Sequence, residues 1–137
     1  MRILLVDDNE AFRKSLKTFL EGEYQYTVVG EMADGKEFLD AETVDADVVL
    51  MDINMPGING LLATKKRLWM APHLKIIAVS QHQYDIDLEL LIGSGFKGFV
   101  SKTNLYDDLQ PALLKVKAGL FSFPADIKIA HDEDYLI

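Results

Sequence analysis

There is no cysteine among the 137 residues. Disulfides and thiol catalysis are therefore excluded, and the absence suits a cytosolic setting. Histidine is scarce: His73, His82 and His131 are scattered, with no zinc-type spacing. Basic residues are outnumbered 14 to 22, which leaves a net charge of −8. That balance argues against nucleic-acid binding through this chain, because phosphate contacts need a basic face. An acidic, solvated surface is its plainer meaning. No apolar run approaches the ~18–20 residues that span a membrane. The opening "MRILLVDDNE" offers four apolar residues before two acids, so it does not read as a signal peptide. No internal repeat, low-complexity stretch or interdomain linker is visible before about residue 119.

What is present is ordinary for a soluble globular chain: 49 % apolar and 26 % charged residues. The length fits one domain with a hydrophobic core. Short apolar runs alternate with helical periodicity along the whole sequence. Strands are predicted over 2–6, 26–30, 46–51, 75–80 and 98–101. Helices are predicted over 10–21, 34–42 (with Asp34 as N-cap), 60–70, 84–92 and 105–119. Phe12, Leu16, Phe19 and Leu20 fall on one stripe of the first helix. Leu105, Leu109, Leu113 and Val116 fall on one stripe of the last. Pro111 lies inside that last helix, so a kink or a later start is open. Asp107 and Asp108 suit its first turn through the helix dipole. The 84–92 helix is expected to stop at Gly93 and Gly95. Five strands alternating with five helices indicate an α/β fold with a parallel sheet. The near-continuous apolar strands fit a sheet covered on both faces.

Polar residues recur at one place in this pattern. "LLV" is followed by Asp7 and Asp8, "VVLM" by Asp52, "IIAV" by Ser80 and "GFVS" by Lys102. Only "TVVG" lacks an equivalent, with Glu31 after it, so its strand is expected at the sheet's margin. In a parallel sheet all these ends share one edge, and four adjacent ends lie within ~15 Å. Open α/β sheets bind ligands there. Asp7 and Asp8 could instead cap the following helix. Taken together, three carboxylates repel one another unless a cation neutralises them. An oxygen-only donor set suits a hard cation, Mg²⁺ above others. A lysine and a hydroxyl opposite can balance phosphoryl oxygens, and one carboxylate can act as the nucleophile. The pattern reads as Mg²⁺-assisted phosphoryl chemistry on an aspartate.

The stretches "LLVDDNE" (4–10), "VVLMDINMPGINGL" (48–61), "IIAVSQH" (76–82) and "GSGFKGFVSK" (93–102) resemble a receiver domain of two-component response regulators. The resemblance covers residues 2 to about 119. It implies the flavodoxin-like (βα)5 fold, doubly wound with strand order 2-1-3-4-5. It implies that Asp52 is the phosphoacceptor, fed by a histidine kinase or a histidine phosphotransfer protein. Asp8 would bind Mg²⁺ directly and Asp7 through water, with the Asn54 backbone carbonyl as a further ligand. Ser80 would be the switch hydroxyl, Lys102 the phosphate's lysine, and Phe99 the aromatic that turns inward on activation. Pro56 and Gly60 match the loop that shapes the site. Asn54 and His82 occupy positions that tune dephosphorylation.

Some residues depart from the family pattern. Gln81 stands where a small residue is preferred, and its bulk could narrow the phosphoryl pocket. Phe96 replaces a small residue in the "G-A-x-G-Y" stretch. Thr103 stands where proline often follows the lysine, which resembles receivers of LuxR/NarL-type DNA-binding regulators.

Residues 1–120 are expected to form the receiver, and 121–137 a tail or the start of a linker. The chain is then either a stand-alone receiver or part of a longer regulator of transcription. Leu88, Leu91 and Ile92 give the 84–92 helix apolar surface for a partner, a homodimer or extra core, within an 84–118 surface that changes on phosphorylation. The expected role is a cytoplasmic signalling switch that catalyses only its own phosphoryl transfer and dephosphorylation. Two other readings remain: a pseudo-receiver that binds partners without phosphate, and an aspartate-nucleophile phosphatase. The phosphatases of haloacid dehalogenase type resemble an Asp-x-Asp motif after the first strand, whereas "DIN" here follows the third.

Overall fold

The structure, a computed structural model, describes residues 1–81 and 87–125. Its centre is a five-stranded parallel sheet of β1 (Arg2–Val6), β2 (Thr27–Met32), β3 (Val48–Asp52), β4 (Ile76–Ser80) and β5 (Gly98–Ser101). The strand order is β2-β1-β3-β4-β5, as the family resemblance implied. β2, the strand without a polar residue at its end, lies at the margin.

Period-two alternation sends the strand residues to two cores. Ile3, Leu5, Val48, Leu50, Ile77 and Val79 face α1 (Glu10–Glu23) and α5 (Leu105–Lys117). Leu16 and Leu20 of α1 and Leu105, Leu109, Leu113 and Val116 of α5 complete that core. Leu4, Val6, Val49, Met51, Ile76 and Ala78 face α2 (Gly35–Asp40), α3 (Gly60–Met70) and α4 (Leu88–Ser94). Strands buried on both faces cannot alternate apolar with polar, which is why they read as unbroken runs.

The helix ends have local causes. Asn9, not Asp7 or Asp8, caps α1: its Oδ1 accepts from Phe12 N–H at 3.0 Å. Asp34 caps α2 as expected, accepting from Glu37 N–H at 2.8 Å. Asp87 caps α4 through Leu90 N–H at 2.7 Å. The predicted start of that helix, residues 84–86, lies outside the described residues. Its end runs past Gly93 to Ser94, because the left-handed turn that stops it is at Gly95 (φ 98°). α5 continues through Pro111 without interruption, from Leu105 to Lys117. Pro111 and Asp107, whose carbonyl loses its helical donor, are both exposed, so water can serve that carbonyl.

Several boundaries shift by a residue or two from the sequence expectation, β3 running Val48–Asp52 and α2 Gly35–Asp40. β2 extends past Gly30 to Met32, because its pairing with β1 continues through Val6 opposite Met32. Asp7 N–H then reaches Met32 O at 3.0 Å. Beyond α5, Ser122 pairs with the free edge of β5. Its N–H donates to Lys97 O at 2.9 Å, and its carbonyl accepts from Phe99 N–H at 3.0 Å. Phe123 packs against the α2–α3–α4 core.

Candidate functional site

The chain leaves β1 to make β2 on one side and β3 on the other. The gap between the β1 and β3 ends is therefore the topological switch point of the sheet. Asp7 and Asp52 flank it, and both are buried. Asp7 Oδ1 accepts from Asn9 N–H at 2.8 Å, and Arg13 donates to the Asp7 carbonyl while pairing with Glu31 at 3.2 Å. Those contacts tie the end of β1 to α1 and β2. Asp8, next along, is exposed at the mouth.

Asp52 closes β3, and the loop after it is built on its backbone. Ile53 O accepts two N–H groups, from Met55 at 3.2 Å and from Gly60 at 3.0 Å. A Cβ on Gly60 would run into the carbonyl oxygen of Asp52, so only glycine lets α3 start this close to the acid. Gly57 turns the exposed tip of the loop with φ 78°. Asn54 N–H donates to Asp52 Oδ1 at 3.3 Å, and its Nδ2 donates to Ser80 Oγ at 3.4 Å. Ser80, at the end of β4, is fully buried. Lys102 follows β5 and opens a short 3-10 turn, Lys102–Asn104, which Ser101 Oγ caps through Thr103 N–H at 3.2 Å. The Lys102 ammonium lies 2.8 Å from Asp7 Oδ2 and 3.9 Å from Asp52 Oδ2.

Charge is unbalanced in this space. Carboxylate oxygens of Asp7, Asp8 and Asp52 lie within 4.8 Å of one another. Burial, then repulsion from Asp7, push the Asp52 carboxyl up to about 7, against the pull of Lys102. A hydrogen bond with the Asp8 side chain adds to the rise, since it needs a proton between two carboxyls. One ammonium is too little for three carboxylates. The oxygen-only donor set fits a hard metal cation that would supply the missing positive charge.

The sequence-predicted residues are thus brought together: Asp7, Asp8, Asp52, Asn54, Ser80 and Lys102 share the site. Gln81 is exposed beside it, and His82 lies outside the described residues. Phe99, the expected switch aromatic, is 2 % exposed and shares a core with Leu91 and Phe96. Two contributors went unread in the sequence, Arg13 and Phe12. The Phe12 ring lies beneath the Lys102 ammonium, 4.2 Å from its centroid. Their only sequence signal is position in the helical turn that follows the acid pair.

A parallel sheet of order β2-β1-β3-β4-β5 with helices on both faces defines a flavodoxin-like α/β domain, and acids, a hydroxyl and a lysine gather at its switch point. The chain belongs to the response regulator receiver domain family, whose model matches residues 3–114. It is 34 % identical over 120 residues to the nitrate/nitrite response regulator protein NarL of Escherichia coli, covering 85 % of this chain and 55 % of that protein. It is 32 % identical over 120 residues to the transcriptional regulatory protein DegU of Brevibacillus brevis, covering 87 % and 51 %. The chain spans about half the length of the curated relatives it matches. A solved LuxR-family two-component response regulator from Aurantimonas sp. superposes with a TM-score of 0.84 at 29 % identity, covering 92 % of this chain and 91 % of that one. The chain is therefore a receiver domain of the LuxR/NarL kind. Among the described residues no helix is long and apolar enough to cross a membrane.

Proposed function

We propose that Asp52 accepts a phosphoryl group from a phosphohistidine on a sensor kinase or histidine phosphotransfer protein. The observation that carries this is the placement of Asp52 at the switch point, with carboxylate oxygens of Asp7, Asp8 and Asp52 within 4.8 Å of one another and the Lys102 ammonium 3.9 Å from Asp52. An Asp52 oxygen attacks phosphorus, the P–N bond to the donor imidazole breaks, and its electron pair leaves with the imidazole. Lys102 and Ser80 would donate to the phosphoryl oxygens. Asp7, Asp8 and Asp52 would hold Mg²⁺, with the Asn54 carbonyl completing the set. When bound, the cation supplies charge neutralisation for the transferring group. The reaction is the domain's own modification and its reversal by water, without turnover of an outside substrate.

Phosphorylation adds charge and acceptor oxygens beside Ser80. Drawn to them, Ser80 leaves Asn54, and β4 and β5 adjust with it. Phe99, packed with Leu91 and Phe96, would pass that adjustment on to α4. Leu91 is core and Leu88 packs against it, but Leu90 and Ile92 of α4 are 47 % and 49 % exposed, which suits a partner or a second copy. The output is control of transcription through a domain or partner beyond this chain, in the cytoplasm.

Incubation with Mg²⁺ and acetyl phosphate tests the reading by intact mass. A base-labile phosphoryl adduct that disappears in Asp52→Ala supports it. An unmodified wild type overturns it in favour of a pseudo-receiver, and rapid hydrolysis of unrelated phosphomonoesters in favour of a phosphatase.

A further inference from the structure

Phe12 is the aromatic residue at the site that the phosphoryl chemistry leaves unused. The Asn9 cap places it in the first turn of α1, and Arg13 locks that turn to the Asp7 carbonyl. Its ring is therefore fixed to the same strand end that carries Asp7. The Lys102 ammonium is held from three sides: Asp7 at 2.8 Å, Asp52 at 3.9 Å and the Phe12 ring face at 4.2 Å. The Lys102 side chain is only 13 % exposed, so water offers it little.

These three holds differ once a cation enters. With a divalent cation held by Asp7, Asp8 and Asp52, the Asp7 carboxylate would have less charge left for the ammonium. An aromatic face is a poor ligand for a hard cation, so the attraction from Phe12 is not competed away. We infer that Phe12 is a positioning residue for the phosphoryl reaction: its ring keeps Lys102 beside Asp52 when Asp7 is engaged. This rests on the phosphoacceptor reading above. Leucine at this position would fill the same helical stripe but offer no quadrupole to the ammonium.

Two measurements test it. In metal-free, unphosphorylated protein, the Lys102 side-chain protons should be shifted upfield by the ring current in NMR spectra. The shift should vanish in Phe12→Leu and persist in Phe12→Trp. With acetyl phosphate and Mg²⁺, Phe12→Leu should form adduct about 3- to 10-fold more slowly, while Phe12→Trp stays within about twofold of wild type. In a Lys102→Met background, Phe12→Leu should cause no further loss. Unshifted Lys102 protons in wild type overturn the inference. So does a Phe12→Leu protein as fast as wild type, or an equal loss in the Lys102→Met background, which would mark Phe12 as packing alone. A wild type that takes no phosphoryl group, with Lys102 still ring-shifted, sinks the phosphoacceptor reading while the hold of Phe12 on Lys102 stands.

Discussion

Asp52 and Arg67 are equally hidden, 5 % and 4 % exposed, yet their surroundings differ in kind. Arg67 lies on the buried face of α3 with Gly60, Ala63 and Thr64. Its Nη1 donates to the carbonyls of Ala41, Leu39 and Phe38, and its guanidinium sits 5.9 Å from the Phe38 ring. Those carbonyls are the last of α2, where a helix has unpaired acceptors and a negative dipole end. The charge of Arg67 thus meets carbonyl dipoles without any acid, although its Nε is buried without a partner. Asp52 meets two more acids and a shared lysine, and its carboxyl rises to about 7. Burial of charge alone does not separate a structural residue from a reactive one. What separates them is whether the fold supplies the opposite charge or leaves it to be brought from outside.

Exchanging each charge should give opposite results. Asp52→Asn should lose the phosphoryl adduct completely and keep the fold. Arg67→Met should keep the adduct and lose about 3 kcal/mol of stability in denaturant unfolding, because three carbonyls at the end of α2 lose their donor. Loss of adduct in a folded Arg67→Met would erase the distinction. Gly60→Ala joins the two regions, since α3 carries Arg67 and its first residue abuts Asp52. The added Cβ collides with the Asp52 carbonyl oxygen. A stability loss of about 2 kcal/mol and slower adduct formation should appear together.

The pH dependence sharpens the contrast further. In the unfolded chain Asp52 titrates near its ordinary 3.8, and in the fold near 7. Between those values the native state keeps a proton that the unfolded state has lost. Stability from this group therefore falls as pH rises from about 4 to about 7 and then levels off. Asp52→Asn cannot ionise, so it should exceed wild type above pH 7 in urea titrations and lose that advantage as pH falls towards 4. Mg²⁺ should narrow that gap by binding the ionised native site. Equal pH profiles for the two proteins would mean that Asp52 is already charge-balanced, as Arg67 is.

The two regions were also unequally visible in the sequence. Asp7, Asp52, Ser80 and Lys102 stood out because each interrupts an apolar run at the same end of a strand. The strand order followed from resemblance, and the marginal place of β2 from its lack of a polar end. Arg67 gave no such sign, since its partners are backbone carbonyls, which have no letter of their own. Phe12 counted as one more apolar residue on a helical stripe, and nothing in that periodicity reports an ammonium above the ring. The pairing of Ser122 with β5 was invisible for the same reason as the carbonyls around Arg67. The overrun of β2 past Gly30 depended on how far its neighbour β1 extends. Patterns of side chains report burial well, whereas backbone partners become known only once the chain is folded.

A third charged site sets the scale for the other two. Lys36 and Asp40 form a short ion pair of 2.6 Å one turn apart on α2, with side chains 77 % and 62 % exposed. The pair raises the titration of Lys36, with the hydrogen bond to Asp40 as the first cause and its charge as the second. By distance alone it is tighter than any contact of Lys102. Yet water solvates both partners when the pair opens, and holding two long side chains together costs conformational freedom. Lys36→Ala should therefore leave the thermal melting curve and the rate of adduct formation where they were. It lies on the same helix whose far end Arg67 caps, so a melting shift comparable to that of Arg67→Met would show that α2 responds to any charge change along its length. A null result with Lys36→Ala beside a large one with Arg67→Met would show that desolvation, not proximity of opposite charges, decides which ion matters here.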